Sequence, residues 1–256
     1  MNDRNGWIYN EQFFADLEAG SVSSAREIVP IVRELVEIGS VVDIGCGTGG
    51  WLSVFRENGT TDILGVDGDY VDRTRLLISE ECFLPRDLSQ ELDLGRRFDL
   101  AMSVEVAEHL PEMRSDGFVR DLTALSDFVL FSAAIPHQEG TSHINEQWIG
   151  YWVDKFADHG YAAIDCFRRQ LWRNESVEWW YKQNLVLFVA EPRLADMPRL
   201  KELLDKLGPP LPLVHPDIYL HHVREKRQMQ QRLIVKAAVE VDGALRSLAR
   251  RLLRKR

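Results

Sequence analysis

Residues 41–50 read VVDIGCGTGG. Val41 to Ile44 form a short apolar run, and Gly45, Gly47 and Gly50 follow in the spacing G-x-G-x-x-G. Gly50 to Asn58 has a helical pattern, with Gly59 after it as a stop. Strand, glycine turn and helix in that order allow backbone angles and a close approach that a Cβ would block. The helix start presents free N–H groups to a polar ligand. Asp67 closes a second apolar run, DILGV at 62–66, and lies 22 residues beyond Gly45. A carboxylate there accepts hydrogen bonds from both hydroxyls of a ribose. The pair of features points to a nucleoside-containing cofactor; the alternative is a tight turn with an acidic helix cap.

Outward from this stretch, apolar runs and helical patterns alternate. Ser24 to Ile38 has helical spacing and ends at Gly39. Further strand candidates are Cys82–Leu84, Phe98–Val104 and Asp127–Ser132, with helical segments at Leu110–Leu125 and Glu146–His159. That order predicts an α/β fold with a mostly parallel sheet covered on both faces. Tyr161–Phe167 and Asn184–Ala190 are the last two strands, joined by a loop with Trp179 and Trp180 and no helix-length pattern. They predict an antiparallel pair at one edge, seven strands in all. Trp148, Trp152 and Phe156 repeat every four residues, as core packing requires.

Four segments resemble the class I S-adenosylmethionine-dependent methyltransferases: VVDIGCGTGGWL, DILGVDGD, LPRDLS and RRFDLAMSVEVAEHLP. The resemblance covers about Ser24 to Glu191 and implies a Rossmann-like sheet. It implies cofactor contacts from Asp43, Gly45, Cys46, Gly47, Gly49, Asp67, Gly68, Asp87, Leu88 and Ser103. Asp43 favours this cofactor over a nicotinamide dinucleotide, because the methionine amino group is a cation and benefits from a nearby carboxylate. The fingerprint alone does not separate the two.

Acceptor chemistry gathers in two places. SVEVAEHL carries Glu105, Glu108 and His109, and E-x-x-E-H on a helical turn sets the three side by side. It looks like the metal-binding segment of ubiquinone-pathway O-methyltransferases and small-RNA 2′-O-methyltransferases, with His143 as a further ligand for a divalent metal; metal-free use of the pattern is favoured. SAAIPHQEGTSHINEQW carries His137, Glu139, His143 and Glu146. His143 is the expected general base, helped by His109 and Glu105, or else it caps the helix beginning near Glu146. HINEQW and WWYKQN resemble methyltransferases of glycan and natural-product assembly. This implies O-methylation of a sugar or other small hydroxylated metabolite. Methylation of a nitrogen and a non-catalytic cofactor-binding scaffold are the alternatives.

The chain has 256 residues and a net charge of -9. His221 to Arg256 holds 11 basic and three acidic residues, against 20 basic and 37 acidic before it. So acidic a main body repels a polyphosphate, which argues against nucleic acid as partner. The expected division is an N-terminal segment at 1–23, the methyltransferase domain at 24–191, a Pro-rich linker at 192–220 and a basic helical tail at 221–256. Arg246, Arg250, Arg251, Arg254, Lys255 and Arg256 lie among apolar residues from Leu233 to Leu253. Such a helix pairs with another helix or lies on an anionic membrane surface. Three scattered cysteines and a polar N-terminus fit a cytoplasmic protein, held peripherally at a membrane if the tail binds one.

Overall fold

The computed structural model describes the backbone of residues 11–253 and the side chains of residues 18–236 and 239–241. The described residues fall into two compact units, divided between Leu213 and Val214.

The first unit is built on seven strands: β1 (Ser40–Ile44), β2 (Asp62–Asp67), β3 (Phe83–Pro85), β4 (Leu100–Val104), β5 (Phe128–Ser132), β6 (Tyr161–Ile164) and β7 (Val186–Ala190). They lie in the order β3-β2-β1-β4-β5-β7-β6. The five to the β5 side pair in parallel, and β7 runs antiparallel to both β5 and β6. The expected α/β architecture is therefore what forms. Because the parallel strands are covered on both faces, they read as continuous apolar runs: every residue of β4 and β5 is buried. The reversal of β7 has a functional effect. Its first residue, Val186, lies at the end of the sheet where β5 finishes, so the segment entering β7 is delivered to the carboxyl ends of the parallel strands.

Among the described residues of this unit the α-helices are α1 (Glu11–Leu35), α2 (Gly50–Glu57), α3 (Ser115–Leu125), α4 (Ile149–Asp158), α5 (Arg168–Leu171), α6 (Trp179–Asn184), α7 (Glu191–Leu194) and α8 (Pro198–Leu207). On α4, Trp152 and Phe156 are fully buried, and Phe156 stacks on Phe188 of β7 at 3.8 Å between ring centres. Burying a large apolar side chain of this kind stabilises the fold by roughly 1.5–3 kcal/mol. Trp148, the first of that repeat, stays exposed at the helix start.

Three expectations need correction. The first helix begins at Glu11 rather than Ser24, so residues 11–23 are not a separate segment. Gly20 marks why: a Cβ there would collide with the Glu178 carboxylate, and Ser23 and Ser24 bond the backbone at Ser176 and Glu178. The chain between β6 and β7 is not a plain loop but carries α5 and α6. Residues 192–213, expected as linker, fold back on the domain: Leu194 and Leu200 join the core. Pro198 opens α8 and Gly208 ends it at a positive φ, so the prolines and glycines here punctuate helices.

The second unit is helix α9 (Pro216–Leu253). Leu233, Ile234, Val235, Val239 and Val241 are exposed along it. The side chains of Arg246, Arg250 and Arg251, and all of Arg254, Lys255 and Arg256, lie outside the described residues. Among the described residues no helix is long and apolar enough to cross a membrane.

Candidate active site

The glycine loop leaves β1 with Gly45 at φ 89°, Gly47 at 53° and Gly49 at 84°, Gly49 standing at the cap of α2. All three angles lie in the left-handed region that glycine enters without strain. The amide of Gly45 donates to the Val66 carbonyl at 2.7 Å, and that of Gly47 donates to Asp67 Oδ2 at 2.7 Å. The loop is thus tied to the end of β2. Asp67 Oδ1 accepts from the Gly68 amide at 2.6 Å and from the Tyr70 hydroxyl at 2.5 Å.

Two adjoining cavities open at the carboxyl ends of the parallel strands, where ligands bind in folds of this kind. The larger, about 1120 Å³, runs past Asp67, Gly68, Asp87 and Leu88. The smaller, about 540 Å³, runs past Asp43, Cys46, Glu105, Glu108, His143 and the aromatic side chains of α6. Gly45, Gly47, Glu105 and His109 line both.

These residues fit S-adenosylmethionine. Oδ1 of Asp43 is buried without a hydrogen-bond partner, and burial, then the charge of Asp67, pushes its carboxyl well above the usual range. A cationic amino group would satisfy that atom. A Cβ at Gly47 would project into open space, so the glycine leaves room for a ligand against the backbone. Asp67 and the start of α2 supply the ribose acceptor and free N–H donors. Asp87 is exposed, and the Ser89 hydrogen bonds hold its carboxyl below the usual value. Two expected contacts fall elsewhere. Gly49 shapes the turn against Ile78 without lining either cavity, and Ser103 is buried inside β4 and lines neither.

On the acceptor side, the expected Glu105–Glu108–His109 face of one helical turn does not exist. Glu105 takes φ 56°, a left-handed angle, and its amide bonds the carbonyl and hydroxyl of Ser132 on β5. Only Ala107 to His109 form a helical turn. Glu108, His109 and His143 bring one ligand atom each within 4.8 Å of one another, and Glu105 is not among them. Both carboxylate oxygens of Glu108 are buried without a hydrogen-bond partner, so burial, then Glu105, pushes that carboxyl well up. Partial burial and the neighbouring His143 lower the pKa of His109.

His143 does not cap α4, whose start has no side-chain cap. Its Nδ1 lies 3.0 Å from Glu146 Oε1, and the Glu146 carboxylate is itself held by the amides of His137 and Glu139. The imidazole packs against Gly140, where a Cβ would strike the ring. His109 and His143 meet edge to face at 4.9 Å. Among the described residues the non-glycine positive φ angles are those of Glu105, His137, Glu139 and Ser142, all in the segments that border the cavities. Such angles persist only where surrounding bonds over-determine them.

Glu18 and Ser21 carried no signal that sequence reasoning used, whereas Trp179 to Asn184 are the WWYKQN segment. Glu18 and Ser21 of α1 reach the smaller cavity, beside Trp51, Trp179, Trp180 and Tyr181. Behind it lies a buried amide cluster. Gln138 Nε2 donates to Glu105 Oε2 at 2.7 Å, and Asn184 Nδ2 donates to Glu105 Oε1 at 3.1 Å and to Gln138 Oε1 at 2.9 Å. Gln183 Nε2 donates to Gln138 Oε1 at 3.1 Å. The cluster joins the end of β4, the His143 loop and α6. Two neighbouring amides, Gln183 and Asn184, beside an apolar strand were the available clue.

Burial raises the Glu105 pKa, and Asn184, Ser132 and Gln138 offset part of that rise. Asn184→Leu removes one amide donor, so the pKa rises further. At low pH, with Glu105 protonated in both folded proteins, the deficit is that of the lost Asn184 bonds to Gln138 and Gln183. It grows by about 1.5–3 kcal/mol as pH rises and Glu105 ionises in the folded wild type before it does in the folded variant, the unfolded chain being alike in both. Urea unfolding from pH 4 to 8 reads this out; a deficit constant with pH excludes it.

A sequence-family model described as a methyltransferase domain matches residues 21–184. The chain belongs to that family. It is an S-adenosylmethionine-dependent methyltransferase. No curated protein matches the methyltransferase in sequence. Solved structures are similar to it. An O-methyltransferase family protein from Burkholderia thailandensis is 15% identical with a TM-score of 0.50, over 72% of this chain and 61% of that one. Magnesium protoporphyrin IX methyltransferase from Synechocystis PCC 6803, crystallised with SAH, is 16% identical with a TM-score of 0.48, over 69% and 87%. DesVI of Streptomyces venezuelae is 19% identical with a TM-score of 0.43, and the methyltransferase spans 62% of that chain and 54% of its own.

Proposed function

We propose that the methyltransferase methylates a hydroxyl oxygen of a small polyhydroxylated acceptor, a sugar or glycan unit, with His143 as general base. The observation that carries this is the His143–Glu146 pair. With Nδ1–H donated to the carboxylate, the Nε2 lone pair is left for an acceptor proton, and Glu146 stabilises the imidazolium that forms. Bound S-adenosylmethionine supplies a methyl group already activated on a positively charged sulfur. The protein's task is therefore placement and proton removal. Trp179 and Trp180 give ring faces for the C–H surface of a sugar, and Thr141 gives a hydrogen bond to a hydroxyl.

A divalent metal on Glu108, His109 and His143 is a second reading, favoured by the unpartnered Glu108 carboxylate. It would hold the acceptor oxygen and lower its pKa. One experiment addresses both. With labelled cofactor and a panel of sugars, glycosides, phenols and amines, the first reading expects O-methyl products at a rate unchanged by EDTA. Loss with EDTA and recovery with magnesium favours the metal. Transfer only to amines, or cofactor binding with no transfer, overturns the hydroxyl assignment.

A further inference from the structure

Asp67 has less to offer a ribose than its place at the end of β2 suggests. A carboxylate has about four lone-pair sites for donors. Three are engaged: the Gly47 amide donates to Oδ2 at 2.7 Å, and the Gly68 amide and Tyr70 hydroxyl donate to Oδ1 at 2.6 and 2.5 Å. A ribose donating both of its hydroxyls needs two sites, one more than is left. The two amides are held by the backbone. Gly47 follows Gly45 and Cys46, whose amides both donate to the Val66 carbonyl, and Gly68 directly follows β2. Tyr70 is different. It is 84% exposed, so rotating its side chain frees a site on Asp67 without disturbing the core. Gly68 is what admits the tyrosine. A Cβ there would lie 2.2 Å from Tyr70 Cε1 and 2.4 Å from Cδ1, so any larger residue would push the ring away from Asp67. All three residues border the larger cavity, with Asp87 and Leu88.

We propose that Tyr70 is a built-in competitor of the cofactor: its hydroxyl holds a site on Asp67 that a ribose hydroxyl needs, and both ribose hydroxyls bond Asp67 only once the side chain has swung out. The apparent affinity is then reduced by the fraction of molecules in which Tyr70 has let go. By returning to Asp67 the tyrosine also favours release of S-adenosylhomocysteine after transfer. Donor and product share the ribose, so both are weakened alike, whichever acceptor is methylated.

The test is calorimetric binding of S-adenosylhomocysteine to the full chain and to its Tyr70→Phe variant, which keeps the ring and loses the hydroxyl. Tyr70 is exposed, so the variant is expected to fold and to melt as the wild type does. If the bond to Asp67 is held in about nine molecules of ten, its removal tightens binding about tenfold. The second probe is the 2′,3′-dideoxy analogue of S-adenosylhomocysteine, which has no hydroxyl to contest Asp67. It is expected to bind both proteins equally. Tyr70→Phe binding S-adenosylhomocysteine no more tightly than the wild type overturns the proposal, and weaker binding overturns it too, by making the hydroxyl a cofactor contact. An equal gain with the dideoxy analogue also overturns it, since the effect then lies outside the contest for Asp67.

Discussion

His143→Ala is expected to lower the rate of methyl transfer by about 10²–10⁴-fold, the usual contribution of a positioned general base, if the proposed role holds. S-adenosylmethionine affinity is expected to change less than the rate, because the bonds that fix the glycine loop and Asp67 do not involve the imidazole. Glu146→Gln is the graded companion. It keeps the contact at Nδ1 but removes the charge that stabilises the imidazolium. It also weakens the acceptor for the amides of His137 and Glu139, so the loop loosens. An intermediate loss is expected there, with kcat falling more than KM rises. Single-turnover kinetics separates chemistry from binding. A His143→Ala enzyme with undiminished single-turnover rate removes the histidine from the chemistry and leaves deprotonation to another group.

Gly45→Ala is the second large effect, and it falls on the cofactor. At φ 89° a Cβ costs roughly 1–2 kcal/mol in backbone strain. It would also run into both methyls of Val106, a β-branched side chain with little freedom to turn away. The loop must then shift away from the Val66 carbonyl to which Gly45 and Cys46 both donate. S-adenosylmethionine binding is expected to weaken by at least about tenfold, the affinity equivalent of 1.4 kcal/mol. Gly59→Ala is the control. Its φ is 92°, yet a Cβ there meets nothing within 4 Å. It carries the strain without the collision, so melting temperature falls while cofactor affinity holds. Equal loss of affinity in both variants would show that strain, and not the contact with Val106, sets the loop.

The cofactor half of the molecule was legible in the sequence because its causes are local. Ser40 to Asp67 spans one strand, one turn, one helix and the next strand, and Gly45, Gly47 and Gly49 sit where a backbone angle requires glycine. The acceptor half was not. Glu105 has the sequence spacing of a helical face, but Ser132 of the neighbouring strand pulls its backbone out of the helix. The middle of α1 carries Gly20 and three serines, which no helical pattern marks, and is held as helix against residues 176–181, more than 150 positions later. His143 could be named from sequence, whereas its partner in orientation, Gly140, and the amide cluster behind Glu105 depend on segments meeting in space.

The contact of α1 with the α6 region also sets an order of events during synthesis. The cofactor loop and its strand partners lie within residues 40–104 and can close while the ribosome is still extending the chain. Ser21 meets the Tyr181 hydroxyl at 3.2 Å across 160 residues, so the acceptor wall cannot be completed until α6 has emerged. Contacts of such long sequence separation form slowly. The wall that faces the recipient therefore depends on the late-made part of the domain, whereas the strands that carry the methyl-donor loop do not.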